Sequence, residues 1–151
     1  MEKSNMEILT ECRRVGETLE ELWQQRLVYK SLAEKCTTHY SLAPAHTDDD
    51  RNKVAAIHRL VEVDRAINEW TLQHVRLKKE AAKVIALIDD ERLKQILVRR
   101  YVRGLSWKTI AEIMIMEGRH ISIRHLLRLH NQAMTLLAEY DLNGKDFDVA
   151  L

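Results

Sequence analysis

The sequence contains one proline and four glycines in 151 residues, so few positions would interrupt a helix. Aromatic residues are also scarce, at 5% of the chain, whereas charged residues make up 31%. No stretch of 18 or more apolar residues is present, so the sequence offers no candidate for a membrane-spanning helix. This composition predicts an all-α, water-soluble chain built from a few long helices.

Cysteine is almost as scarce, with only Cys12 and Cys36. These residues lie far apart in what reads as a single helix, where they could not form a disulfide with each other. The first ten residues, MEKSNMEILT, lack the basic segment followed by an apolar one that marks a secretory signal. We therefore expect two reduced thiols in a cytoplasmic protein.

Residues suited to catalysis or metal binding do not converge in the sequence. His120, His125 and His130 recur every five residues, which places successive imidazoles about 140° apart around a helix and excludes a shared metal ion. The acidic run Asp48–Asp50 lacks further oxygen ligands at calcium-loop spacing. Neither a phosphate-binding glycine loop nor a GxSxG motif is present. We expect no enzyme activity, no catalytic or metal-binding residues and no cofactor.

Positive charge is concentrated in one segment, although the net charge of the whole chain is only +1. Residues 92–130 carry nine Lys and Arg side chains against Glu112 and Glu117, which gives +7. Residues 1–87 balance, with 14 basic and 14 acidic side chains, and the chain beyond residue 130 is acidic. This asymmetry predicts a polyanionic partner for the basic segment or, alternatively, a solvated helix face.

Two series of mostly apolar residues in the first part of the chain follow the alternating three- and four-residue spacing of coiled-coil seams. The first seam is Cys12, Val15, Leu19, Leu22, Arg26, Tyr29, Ala33, Cys36 and Tyr40. The second is Leu60, Val63, Ile67, Trp70, His74, Leu77, Ala81, Val84 and Ile88. Between them, SLAPAHTDDDR holds Pro44 and offers Thr47–Asp50 as caps for a helix over about 51–88. Residues 1–88 are predicted to form a long antiparallel helical hairpin, whose outer surfaces are candidates for a homodimer contact.

The second part of the chain is predicted to form three shorter helices with clear end signals. Acidic residues at 89–91 suit a helix start, and Gly104 suits a left-handed helix end. Ser106 and Gly118 bound the second helix, and Ser122 caps the third. The predicted inner side of the third helix is Ile123, Leu126, Leu127, Leu129, Ala133, Met134 and Leu137. Three helices with a short middle one predict a helix-turn-helix domain over 89–140, followed by an acidic tail over 141–151.

The stretch LVRRYVRGLSWKTIAEIM, followed by SIRHLLRLHNQAMTLL, resembles the promoter-reading fourth region of bacterial sigma factors. It is still more similar to small phage and prophage sigma-like regulators of late genes. The matching positions are Arg100, Tyr101, Gly104, Trp107, Ile110, Ala111, Leu129, His130 and Ala133. The resemblance covers residues 90–140 well and the earlier residues only in outline. It implies a transcription regulator in the cytoplasm of a bacterial host cell, which acts on phage late promoters with RNA polymerase.

A recognition helix places the side chains of its first turns in the major groove of double-stranded DNA. In the third helix these are Arg124, His125 and Arg128, and an arginine fork can pair with guanine O6 and N7. Basic residues on the preceding helices and in the turn are better placed for phosphates, which fix register without reading sequence. The predicted phosphate contacts are Arg99, Arg100, Arg103, Lys108 and Arg119.

The turn between the second and third helices departs from the family pattern. The insertion IMEGRHIS makes it several residues longer than the tight turn of the family. Either the second helix runs on to Met116, or the turn is an extended loop that carries Arg119 and His120. Both alternatives change the angle of the recognition helix.

Two other functions stay open from the sequence. A phage DNA-packaging protein of the small terminase subunit type also joins a helix-turn-helix to helical oligomerisation segments. Alternatively, a helical adaptor would use the basic helices to bind an acidic protein. A measured solution mass separates the packaging protein, which forms a ring of many subunits, from a regulator that is a monomer or dimer.

Overall fold

The computed structural model describes residues 3–38 and 47–149, with side chains over 3–35 and 51–141. Every regular element within these ranges is helical, which confirms the predicted all-α class. The helices are α1 (Asn5–Thr38), α2 (Thr47–Ile85), α3 (Glu91–Leu97), α4 (Trp107–Met116) and α5 (Ile123–Val149), with a π-helical segment (Val98–Val102) directly after α3. None of the helices in these ranges has the length and apolarity needed to cross a membrane.

Two helix ends differ from the sequence-based expectation. Helix α2 begins at Thr47, so the residues Thr47–Asp50 form its first turn and the prediction that they precede the helix as caps is wrong. Acidic side chains in a first turn still suit the positive end of the helix dipole. Helix α5 continues to Val149, so residues 141–149 extend the last helix where a separate tail was predicted. Tyr40 and Pro44, which the sequence analysis placed at the seam end and in the connection, lie outside the described residues.

Packing divides the chain into two compact units. The middle unit is Glu17–Gln73, and the terminal unit combines Met1–Gly16 with His74–Leu151. This division differs from the predicted boundaries at residues 88 and 140, because the start of α1 and the end of α2 pack with the C-terminal helices.

In the middle unit, α1 and α2 pack through the predicted seams. Leu19, Val63 and Ile67 are buried together, and three partly buried side chains pack against them: Leu22, Tyr29 and Trp70. Arg26 Nε donates to Asp64 Oδ1 at 2.6 Å. The Arg59 guanidinium lies 5.8 Å from the centre of the Tyr29 ring. Since contacts at higher residue numbers in α1 meet lower numbers in α2, the two helices run antiparallel here.

In the terminal unit, the start of α1 is held against the second half of α5. The backbone N–H of Asn5 donates to the Asp141 carboxylate at 3.2 Å, which places a negative charge at the positive end of α1. Asn5 Nδ2 also donates to the Leu137 carbonyl at 3.2 Å. Leu9 and Cys12 are fully buried in this unit. Burial raises the pKa of the Cys12 thiol, although the nearby Lys78 ammonium acts in the opposite direction.

The C-terminal helices pack on one another within the same unit. Helix α3 packs against α5, and α4 packs against both α5 and the π-helical segment. Their buried side chains are Leu93, Ile96, Leu97, Tyr101, Ile110, Ala111, Met114, Leu126, Leu129, Ala133 and Leu137. This packing fixes which side of α5 is turned outward.

We predict that Leu19→Ala destabilises the protein by about 2 to 5 kcal/mol, the usual cost of truncating a core leucine. Leu27→Ala on the same helix is the matched control, since Leu27 is 59% exposed and Leu19 only 8%. Urea denaturation followed by circular dichroism would measure both free energies of unfolding. Equal losses for the two variants, or no loss at Leu19, would contradict the core described for the middle unit.

Candidate nucleic-acid interface

The start of helix α4 is set by a glycine with positive φ and by a serine cap. Gly104 adopts φ +69°, and across it the Leu105 N–H donates to the Arg99 carbonyl at 2.9 Å. Ser106 Oγ then accepts from the Thr109 N–H at 3.2 Å and caps the first turn of α4. The predicted end and start signals are both present, and they separate α4 from the π-helical segment.

The turn between α4 and α5 is a defined backbone motif. Gly118 adopts φ +83°, and its N–H donates to the Ile115 carbonyl at 3.0 Å, while the Arg119 N–H donates to the Met114 carbonyl at 2.8 Å. This pair of bonds is a Schellman motif, which ends a helix at a left-handed residue. Both alternatives from the sequence therefore hold in part: α4 runs on to Met116, and 117–122 form a turn that carries Arg119 and His120.

Two side-chain contacts tie this turn to the helices before it. Arg99 of the π-helical segment forms an ion pair with Glu117, and only 12% of the Arg99 side chain is exposed. Arg119 Nη1 lies 3.5 Å from Gln95 Oε1 of α3, at the outer limit of a hydrogen bond. The turn is thus anchored at its first residue and more loosely in its middle.

The predicted base-contacting residues lie on the exposed side of the first two turns of α5. Ser122 Oγ accepts from the His125 N–H at 3.1 Å, which confirms the predicted cap. Leu126, Leu129, Ala133 and Leu137 form the buried side. Arg124 and Arg128 lie roughly opposite that side at 100° per residue, and both are exposed, as is His125.

The predicted inner side of α5 is wrong at two positions. Ile123 is 45% exposed and Leu127 is 38% exposed. The buried side is narrower than the apolar pattern suggested, because its members recur every three or four residues from Leu126. Leu127 lies about 100° around the helix from Leu126 and falls outside this side.

A cluster of four side chains, here called the His130 cluster, joins the π-helical segment, α4 and α5. The Tyr101 hydroxyl and His130 Nε2 are hydrogen-bonded at 2.6 Å. The Trp107 ring meets the His130 ring edge-on, with centroids 4.9 Å apart. The Arg100 guanidinium lies 4.5 Å from the centre of the Trp107 ring, and its Nη1 donates to the Leu105 carbonyl at 3.2 Å.

The environment of the His130 cluster favours a neutral imidazole. Burial is the largest influence on His130 and lowers its pKa. A hydrogen bond with Asn131 raises the pKa by less, and the Arg100 charge lowers it by still less. Burial also raises the pKa of the Tyr101 hydroxyl, against the charges of Arg100 and Arg13. With a neutral imidazole whose Nε2 carries no proton, Tyr101 donates to His130 and both groups are satisfied.

The predicted phosphate-contacting residues fall into two groups. Arg99 and Arg100 are engaged inside the fold, with Glu117 and with Trp107 respectively. Arg103, Lys108 and Arg119 are exposed. The structure therefore leaves three of the five on the surface.

Sequence reasoning did not anticipate the His130 cluster as a contact, although its members were visible. Arg100, Tyr101, Trp107 and His130 are all positions that carry the sigma-like resemblance. They meet in space as a packing cluster. The motif thus marks residues that hold helices together, whereas the exposed Arg124 and Arg128 lie outside it.

No group of three or more His, Cys, Asp or Glu side chains that could hold a metal ion occurs in the described residues. The arrangement consists of exposed cations on a capped helix, and its chemistry is that of binding an anion.

We predict that acidification destabilises the protein through His130. The unfolded imidazole takes up a proton near pH 6.5, while the folded one resists it, so the free energy of unfolding falls as the pH drops below about 6.5. His130→Gln should flatten the dependence of this free energy on pH between 7.5 and 5, measured by urea denaturation. It should not abolish it, because burial and Lys78 also lower the pKa of His74.

His125→Gln is the control for this prediction, since His125 lies exposed on α5 and should keep the wild-type dependence. A His130→Gln variant as sensitive to pH as the wild type would contradict the role given to His130.

No family model matches this chain, and neither a curated protein nor a solved structure matches it. The function is therefore argued from the geometry of the site and the chemistry of its residues.

Proposed function

We propose that the protein is a sequence-specific DNA-binding transcription regulator. In this proposal α1 and α2 form a helical hairpin, and α4 and α5 form a helix-turn-helix supported by α3. The main support for this proposal is the position of Arg124 and Arg128. Both are exposed in the first two turns of α5, opposite its buried side. The major groove of DNA is wide enough to admit an α-helix in this way.

Arg124 and Arg128 are the proposed base readers. They lie four residues apart on one side of a helix, so both can face the same groove. Each guanidinium can donate two parallel hydrogen bonds to guanine O6 and N7. His125 lies beside them, with its backbone N–H used by the Ser122 cap and its imidazole exposed.

Arg103, Lys108 and Arg119 are the proposed phosphate contacts. They lie after the π-helical segment, in the first turn of α4 and in the turn before α5, and all are exposed. Phosphate contacts from such flanking elements fix the register of a recognition helix. Arg99 and Arg100 are left out of this surface, because their side chains already pair within the fold.

The sigma-like resemblance supports a narrower form of the proposal. Four of its nine motif residues meet in the His130 cluster, which joins α5 to α4 and the π-helical segment. On this basis we propose that the protein acts at phage late promoters together with RNA polymerase, in a bacterial cell.

We predict that Arg124→Ala weakens binding to the cognate duplex by about 1 to 3 kcal/mol and relaxes base preference at one position. The duplex would first be selected by the wild-type protein from a random pool, and affinities would then be measured by fluorescence anisotropy. Arg76→Ala is the matched control, since Arg76 is an exposed arginine on α2 and should leave both affinity and preference unchanged.

We predict a different result for Lys108→Ala. It should weaken all duplexes alike and reduce the slope of log affinity against log salt by about one unit, as expected for one lost phosphate contact. Lys79→Ala, an exposed lysine on α2, should keep the wild-type slope. If Arg124→Ala and Lys108→Ala both bind the selected duplex like the wild type, the proposal fails and the adaptor hypothesis takes its place.

A further inference from the structure

Two aliphatic side chains are exposed among the cations at the start of α5. Ile123 is 45% exposed and Leu127 is 38% exposed, and the two lie four residues apart on one side of the helix. Arg124 and Arg128 each follow one of them directly in the sequence. The aliphatic pair, here called the apolar row, therefore lies beside the arginine pair, about 100° away around α5.

The part of α5 that carries the apolar row has side-chain charge of one sign only. No Asp or Glu occurs between Glu117 and Glu139, so the first half of α5 carries no acidic side chain. Glu117 itself is paired with Arg99. A partner that covers the apolar row must therefore accept hydrogen bonds from the neighbouring arginines and also offer an apolar surface beside those acceptors.

The major groove of DNA offers both features side by side. Guanine presents the acceptors O6 and N7 there, and thymine presents its C5 methyl group. The groove is about 12 Å wide, and a helix with its side chains is about 10 to 12 Å across. The groove therefore encloses the helix and can contact more than one side of its first turns, so that the apolar row and the arginine pair reach bases together.

We propose that Ile123 and Leu127 contact the C5 methyl groups of thymines that lie beside the guanines read by Arg124 and Arg128. This inference rests on the proposed DNA-binding function and adds a second base to the recognition site. Cytosine lacks the methyl group, and adenine and guanine present polar atoms in its place. An aliphatic side chain leaves those polar atoms without a hydrogen-bond partner, so the apolar row favours thymine over the other three bases.

The first test removes the methyl groups from the DNA and leaves the protein unchanged. Each thymine of the duplex selected by the wild-type protein would be replaced in turn by uracil, which keeps the hydrogen-bonding groups and lacks only the methyl group. By fluorescence anisotropy, replacement at the contacted thymines should raise Kd about fourfold, as expected when one buried methyl group is lost. A selected site without thymine, or one in which every thymine can be replaced without loss of affinity, would overturn the inference.

The second test assigns the methyl contact to the apolar row. Leu127→Ala and Ile123→Ala should each lose the preference for thymine over uracil at one position, because a contact that the protein has lost cannot be lost again from the DNA. Leu27→Ala is the matched control and should keep the wild-type preference at every position, since Leu27 is an exposed leucine on α1. Circular dichroism would verify that the variants fold. Full preference for thymine in both α5 variants would contradict the assignment.

The same experiments separate this inference from the proposed function. If the wild type selects no sequence from the random pool, the proposed function fails and the thymine contact fails with it. If the wild type selects a sequence and Arg124→Ala weakens its binding, but no methyl group affects affinity, the proposed function stands. Only the thymine contact is then wrong, and the apolar row lies outside the groove.

Discussion

The hydrogen bond between Tyr101 and His130 is the interaction on which the candidate DNA surface depends. It joins the π-helical segment to α5, and Trp107 packs edge-on against the same imidazole from α4. Three segments therefore share one half-buried histidine, and burial lowers its pKa, which favours the neutral imidazole. Because the bond holds one side of α5 against the π-helical segment, Arg124 and Arg128 on the other side of that helix are turned outward.

The arginines of the basic segment divide according to this arrangement. Arg99 and Arg100 stabilise the fold, the first by pairing with Glu117 at the turn and the second by packing over Trp107. Arg124 and Arg128, by contrast, are exposed on α5. A buried guanidinium needs partners inside the protein, whereas an exposed one keeps its donors for a ligand. Arginine thus has two roles here: Arg99 and Arg100 hold the helices in place, and Arg124 and Arg128 form the candidate DNA surface.

Much of this could be predicted from the sequence wherever the cause is local. The caps at Asp90, Ser106 and Ser122 depend on side chains within three residues of the helix start, and the structure shows each of them. The exposure of Leu127 could not be predicted, because an apolar residue next to a buried one is covered only if a neighbouring helix reaches it. The contact of Asn5 with Asp141 and the ion pair of Arg99 with Glu117 could not be predicted either. Each joins residues that are distant along the chain, and the spacing of residues in the sequence does not indicate such contacts.

The most direct measurement of the central claim follows the arginine side chains themselves during DNA binding. Nuclear magnetic resonance of the Nε–Hε groups, titrated with a selected duplex, reports which guanidinium groups enter the interface. The account predicts large shifts for Arg124 and Arg128, whereas Arg99 and Arg100 should keep their positions because their partners lie inside the fold. Shifts confined to Arg99 and Arg100, or none at Arg124 and Arg128 in the bound state, would contradict it.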